Sequence, residues 1–213
     1  MTIMCGQPCS GKSTLSKRLS TDLGIKLIST DDVRIKMFEN PIILKGNPLE
    51  RYVVYYHTLK KAEEIVSAGE SIMVDGTFSL KTFRIGAYYT ASKLGIPLYL
   101  IECVCNNYGL INQRFEHRKR NNNLFEEWAN IESFHKKFLD FEHLDREIMP
   151  DGRPVPIIHY DSEKGKAEIV YSDGSRNIEE IIKAINRPVV KNEYEKKIKP
   201  HSCAEDLSIQ STN

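Results

Sequence analysis

The 213 residues are 40% hydrophobic and 28% charged, with a net charge of +1, which fits an ordinary globular chain with room for one sizeable core. So even a balance gives no overall field toward nucleic acid or a membrane surface, and any polyanion site must be a local patch. No apolar run approaches the roughly 20 residues of a membrane span. The first strand starts almost at Met1, which leaves no room for a leader. Five cysteines in neither a paired nor a metal-binding spacing complete the expectation of a reduced, cytoplasmic protein.

Thr2–Cys5 is a short apolar run that predicts a strand. Gly6-Gln7-Pro8-Cys9-Ser10-Gly11-Lys12-Ser13-Thr14 follows, and Gly6 to Ser13 fits the phosphate-loop pattern G-x-x-x-x-G-K-[ST]. Leu15, Leu19 and Leu23 then recur at helical spacing, with Gly24 where a helix ends. Lys26–Ser29 predicts a second strand, Thr30 to about Asn40 a turn into a short helix, and Pro41–Pro48 a loop. Arg51–Ala68 predicts a helix and Ser71–Val74 a third strand, closed by Asp75-Gly76. Lys81–Leu94 predicts a helix and Pro97–Val104 a fourth, almost wholly apolar strand, with Cys103 and Cys105 directed into the core. Tyr108–Phe138 predicts a mostly helical lid, interrupted at Lys119–Asn123. Val155–Tyr160 is the fifth strand, Ala167–Tyr171 has room for a short extra one, and Asn177–Ile185 is the last helix. This gives one domain over residues 1–187, with the lid at about 108–138, and a polar, Lys-rich tail over 188–213 that reads as flexible or partner-docked.

Strands alternate with helices, and the central strands are continuous apolar runs. The expected fold is therefore α/β: a parallel five-stranded sheet of phosphate-loop NTPase type, flanked by helices and carrying a helical lid. Ligands in such sheets sit beyond the carboxyl ends of the strands. The candidates are then the loop at Gly6, Thr30-Asp31-Asp32, Asp75-Gly76-Thr77 and Asn106. In the loop, glycines allow close backbone approach, and successive amides form an anion nest at a helix N-terminus. Lys12 would reach the β- and γ-phosphates, and the Ser13 hydroxyl would bind Mg²⁺.

No guanine-reading Asn-Lys-x-Asp and no Leu-Ser-Gly-Gly of a transport ATPase occurs, which leaves small kinases. Such an enzyme needs a base for the acceptor hydroxyl and positive charge around the transferring group. Asp31 or Asp32 can supply the base, and Arg34 can bind an acceptor phosphate. Alternatively, Thr30 or Asp31 only caps a helix beginning at Asp32. Arg114 and Arg118 lie one turn apart in a basic cluster with Lys119 and Arg120. They can close over a triphosphate, or they can be a solvated helix end. Asp75 can hold a Mg²⁺-bound water or bond the amides of its own turn.

Gly6–Thr14, Ser29-Thr30-Asp31-Asp32-Val33-Arg34, Val74-Asp75-Gly76-Thr77-Phe78 with Arg84, and Arg114-x-x-x-Arg118 together resemble the polynucleotide-kinase-like branch of phosphate-loop kinases, over roughly the first 140 residues. The resemblance implies that Asp31 is the general base for a 5′-hydroxyl, that Arg34 contacts the acceptor-side phosphate, and that Arg118 binds the donor phosphates. Asp32 and Thr77 join Arg34 on the substrate side. Mg²⁺ with ATP is the implied donor. Cys9 departs from the pattern, because glycine is common at that position. The same core also resembles gluconate, adenylylsulfate and seryl-tRNA kinases and zeta-type toxins, so the donor site leaves the acceptor open.

Acceptor selection should lie between Arg34 and the helix bearing Tyr52, Tyr55 and Tyr56. Tyr52 and Tyr56, one turn apart, are expected mainly in the core, and few cations mark the stretch from Phe38 to Ser71 as a nucleic-acid groove. Three functions compete: a kinase on a polynucleotide or nucleotide hydroxyl, a kinase on a small metabolite, and a non-catalytic nucleotide-binding module.

Overall fold

The computed structural model describes residues 1–38, 48–120, 139–172, 174 and 176–187. The expected loop from Pro41, the second half of the lid and the tail fall outside the described residues. The elements are β1 (Thr2–Gly6), α1 (Lys12–Leu23), β2 (Lys26–Ser29), α2 (Thr30–Met37), α3 (Pro48–Ser67), β3 (Ile72–Asp75), α4 (Lys81–Leu94), β4 (Tyr99–Val104), α5 (Tyr108–Arg120), β5 (Ile157–Asp161), β6 (Lys166–Tyr171) and α6 (Arg176–Asn186).

The strands form one sheet in the order β2-β3-β1-β4-β5-β6. The first five are mutually parallel, and β6 runs antiparallel to β5. The sheet is thus six-stranded and mixed, where five parallel strands were expected. The cause lies in the short connection 162–165. The Asp161 carboxylate accepts from the amides of Glu163 and Lys164, making a tight turn that can only return the chain antiparallel.

Two apolar layers sandwich the sheet. Ile3, Val74 and Leu100 pack with Tyr55, Leu59, Phe83, Ala87 and Tyr88 of α3 and α4 on one face. Met4, Met73, Ile101 and Ile158 pack with Leu15 and Leu19 of α1 and Ile178 and Ile185 of α6 on the other. Burial on both faces explains why β1 and β3 are apolar at every position short of their ends. Cys103 is buried among the α1–α6 layer. Cys105 lies past the end of β4, under α5, with Cys9, Ile111 and Phe115. Among the described residues, no helix is long and apolar enough to cross a membrane.

Candidate functional site

The phosphate loop leaves β1 between β3 and β4 and enters α1. Gly6 has φ +139°, and a Cβ there would lie 2.3 Å from the Cys103 carbonyl oxygen, so this crossing requires glycine. Gly11, at φ +92°, is the N-cap of α1, and no side chain caps the helix. Cys9 adopts φ +61°, the left-handed conformation that the more usual glycine takes freely. Ser10 N donates to Gln7 O at 3.2 Å, while the buried Ser10 Oγ has no partner. Lys12 is buried and donates from Nζ to Gln7 O at 2.6 Å. Burial lowers its pKa, with the Asp75 carboxylate opposing. The arrangement is an anion nest on a helix N-terminus with its lysine folded inward.

Asp75, at the end of β3, is buried beside this loop. Burial raises its pKa, while the charge of Lys12 and the hydroxyls of Ser13 and Ser16 act to lower it. Its Oδ1 keeps no hydrogen-bond partner. A hydroxyl and a buried carboxylate oxygen without a partner fit a small, hard, oxygen-liganded cation such as Mg²⁺. Among the described residues, no three His, Cys, Asp or Glu side chains could hold a metal as a group. Such an ion would therefore draw further ligands from phosphates and water. The Thr77 carbonyl accepts the Gly6 amide at 3.1 Å, fixing the loop after β3 to the phosphate loop.

β2 and β3 end level, Ser29 opposite Asp75, so α2 starts at the same sheet edge. The N-cap is Ser29, whose Oγ accepts from Asp31 N at 3.1 Å. Thr30 and Asp31, the expected caps, are already in the first turn. Asp31 and Asp32 are exposed, and the charge of Asp31 reaches Asp75. Arg34 Nη1 donates to Asp31 Oδ1 at 2.5 Å, and its Nε donates to Glu50 of α3. No motif announced Glu50, which stands at the start of α3 just past the segment outside the described residues.

From the opposite side, α5 brings two arginines to the loop. Arg114 Nη1 donates to Cys9 O at 3.0 Å and to Ser162 Oγ at 2.9 Å, and Nη2 donates to Ser162 O at 3.3 Å. Arg118 Nη1 lies 3.9 Å from Cys9 Sγ, and its charge acts on Lys12. A cleft of about 780 Å³ opens beside them, lined by Thr14, Arg18, Gln113 and Tyr160 as well as Arg114, Arg118 and Ser162. The structure therefore brings Arg114 and Arg118 to the phosphate loop, with Asp75 beside Lys12 and Asp31 at the same sheet edge as Asp75. Arg18 and Tyr160 were missed because neither belongs to a motif.

One expectation is corrected. Tyr52 and Tyr56 are about half exposed rather than core, and they line a groove of about 460 Å³ between α3 and α4. Tyr55, one residue off that stripe, is the buried tyrosine, and its hydroxyl accepts from Phe78 N at 2.9 Å. Arg84, quoted with the kinase motifs, is 1% exposed and lies beneath the site. It donates to Phe78 O at 2.9 Å and pairs with Glu147 at 3.0 Å. Deeper still, Glu102 of β4 is fully buried, 2.6 Å from His143 Nδ1 and 2.8 Å from His159 Nε2.

Residues 1–138, which span the phosphate loop, α2, β3 and α5, match the AAA domain family AAA_33. The chain belongs to that family. The uncharacterized protein Rv2004c of Mycobacterium tuberculosis is 32% identical over 112 residues, 48% of this chain, and the match covers 22% of that protein's length. This AAA domain chain also shares its fold with Chaetomium thermophilum Kti12, solved in complex with ADP-AlF3, at TM-score 0.58 and 15% identity over 76% of this chain and 89% of that one. A gluconokinase from Sinorhizobium meliloti superposes at TM-score 0.53 and 14% identity, over 87% of this chain and 91% of that one. The fold is that of phosphate-loop kinases.

Proposed function

We propose that this AAA domain chain is an ATP-dependent phosphotransferase that moves the γ-phosphoryl group of Mg-ATP to a hydroxyl of a small molecule. The observation that carries this reading is that Asp75 is acted on by both Lys12 of the phosphate loop and Asp31 of α2, while Arg118 of α5 acts on the same lysine. A passive nucleotide binder has no use for an exposed carboxylate at the sheet edge where Asp75 ends β3.

In this reading the amides of Gly11, Lys12 and Ser13 cradle the phosphates at the start of α1, and Thr14 lies in the first turn behind them. Pro8 and Ser10 shape the loop. Lys12 swings from Gln7 O to the β- and γ-phosphates. Ser13 and, through water, Asp75 would hold Mg²⁺, which would supply positive charge against the phosphates. Asp31 accepts the proton of the acceptor hydroxyl as its oxygen bonds to the γ-phosphorus and the bond to the β-phosphate oxygen breaks, releasing ADP. Arg114 and Arg118 stabilise charge on the transferring group. Asp32, Arg34 and Thr77 face the acceptor. No phospho-enzyme forms.

A polynucleotide acceptor is the second reading, because exposed Tyr52 and Tyr56 could stack bases. Charge argues against it. Lys60 and Lys93 in that groove both pair with Glu63 at 2.9 Å, and Arg34 pairs with two carboxylates. A strand-binding groove leaves its cations open to phosphates.

The test is incubation with Mg²⁺ and γ-labelled ATP against 5′-hydroxyl DNA and RNA, tRNA, nucleosides, sugars and polyols. Label on a small molecule supports the reading, and label on oligonucleotide ends moves the function to the second. ATP binding with no label anywhere returns it to a nucleotide-binding module.

A further inference from the structure

Glu50 has no part in the donor chemistry, yet it decides what Arg34 can do. The Arg34 side chain is 19% exposed and that of Glu50 13%, so their contact is largely shielded from water. A guanidinium binds an oxyanion through a pair of N–H groups along one of its edges. Glu50 takes the side edge at Nε, and Asp31 takes the end edge at Nη1. Burial works against the charge on Arg34, but the bond to Glu50 and then the charge of Asp31 more than restore it. An incoming phosphate, sulfate or carboxylate would have to displace a carboxylate and leave it unpaired in a half-buried place. Asp31 and Asp32 also stand exposed at this sheet edge, and their charge disfavours an approaching anion.

We propose that Glu50 closes the anion site at Arg34, so that the acceptor is an alcohol carrying no anionic group. This rests on the phosphotransfer reading of the same site. It assigns Glu50 as the residue that sets acceptor charge, and the Arg34–Glu50 contact as a wall of the acceptor pocket.

The test uses the full chain, wild type and Glu50→Gln, with Mg²⁺, γ-labelled ATP and matched acceptors: sorbitol against gluconate, glucose against glucose 6-phosphate, adenosine against AMP. Wild type should favour the uncharged member of a used pair by at least about tenfold in kcat/KM, and Glu50→Gln should shift that ratio toward the anionic member by about tenfold. A wild type that favours the anionic member overturns the proposal, as does a ratio unmoved by Glu50→Gln. A second measurement does not depend on turnover. With MgADP saturating, inorganic sulfate is titrated calorimetrically. Wild type should show no saturable sulfate site that depends on Arg34, Glu50→Gln should gain one, and Arg34→Gln in that background should remove it. A wild-type sulfate site removed by Arg34→Gln alone, or no site gained in Glu50→Gln, overturns the proposal. Label on no acceptor at all would sink the transfer reading, and the sulfate titration would then decide the charge assignment.

Discussion

Arg114 donates to the backbone oxygen of Cys9 at 3.0 Å, clasping α5 to the phosphate loop. The same guanidinium holds Ser162 in the turn between β5 and β6. One side chain thus fixes three walls of the cleft in which the donor is proposed to sit. Arg114→Ala should raise the KD of MgADP by about tenfold, or ~1.4 kcal/mol, read by calorimetry. Arg114→Lys should recover little, because an ammonium cannot bond Cys9 O and Ser162 as a planar fork does. Unchanged nucleotide affinity in Arg114→Ala would remove the clasp from the donor site.

Asp31 engages Arg34 through Oδ1 and leaves 63% of its side chain open to the sheet edge. Asparagine keeps the size and the accepting oxygen but cannot take a proton. Asp31→Asn should lower kcat by roughly 10² to 10⁴ with the affinity for MgADP within about twofold of wild type. Lys12→Ala should abolish donor use. Transfer by Asp31→Asn at the wild-type rate would take the base role from this residue.

Arg84 was grouped with the kinase motifs by its place in the sequence, but its surroundings suit a structural residue. Its ion pair with Glu147 is shielded from water, and Glu147 also meets Lys81 at 3.0 Å, so the chain after the lid is pinned to the start of α4. Removing one member of a buried pair leaves the other uncompensated. Arg84→Met should therefore destabilise by about 3–5 kcal/mol, seen in denaturant unfolding, with nucleotide affinity retained in the folded fraction. Lost turnover with unchanged stability would instead place Arg84 in the reaction.

The phosphate loop was legible as a strand-loop-helix turn because backbone conformation demands its glycines. Gly6 and Gly11 stand where a Cβ is excluded or strained, and Lys12 and Ser13 follow at fixed spacing. The order of strands and helices was legible for a similar reason, since strands buried on both faces must be continuously apolar. What depends on partners distant in sequence was not legible. The pairing of Arg34 with Glu50 spans sixteen residues, and that of Arg84 with Glu147 spans sixty-three. Tyr52 and Tyr56 share a helical stripe, but the stripe that faces the sheet runs through Tyr55, Leu59 and Ala62 instead. Helical spacing groups the residues of one face without saying which face is covered. The antiparallel sixth strand turns on a side-chain-capped bend at Asp161 rather than on any strand pattern.

The Glu102 cluster gives a pH signature. Burial acts to raise the pKa of Glu102, but bonds from His159, His143 and the Leu144 amide outweigh it and hold the value below the ordinary 4.5. The bond to Glu102, aided by its charge and that of Glu168, holds His159 above its ordinary 6.5. For His159, the stabilisation is complete below about pH 6.5 and is lost as pH rises through the raised folded value. For Glu102 it is complete above about pH 4.5 and is lost as pH falls through the lowered folded value. The pair therefore stabilises most between those limits. Wild type should exceed His159→Gln in stability by about 1–2 kcal/mol near pH 5.5, a Tm difference of roughly 2–4 °C per kcal/mol for a chain of this size. The gap should narrow steadily above pH 7 in melts followed by circular dichroism. A gap of constant size from pH 5.5 to 8.5 would mean that His159 contributes packing alone and that its charge does not hold the strand β5 edge to Glu102.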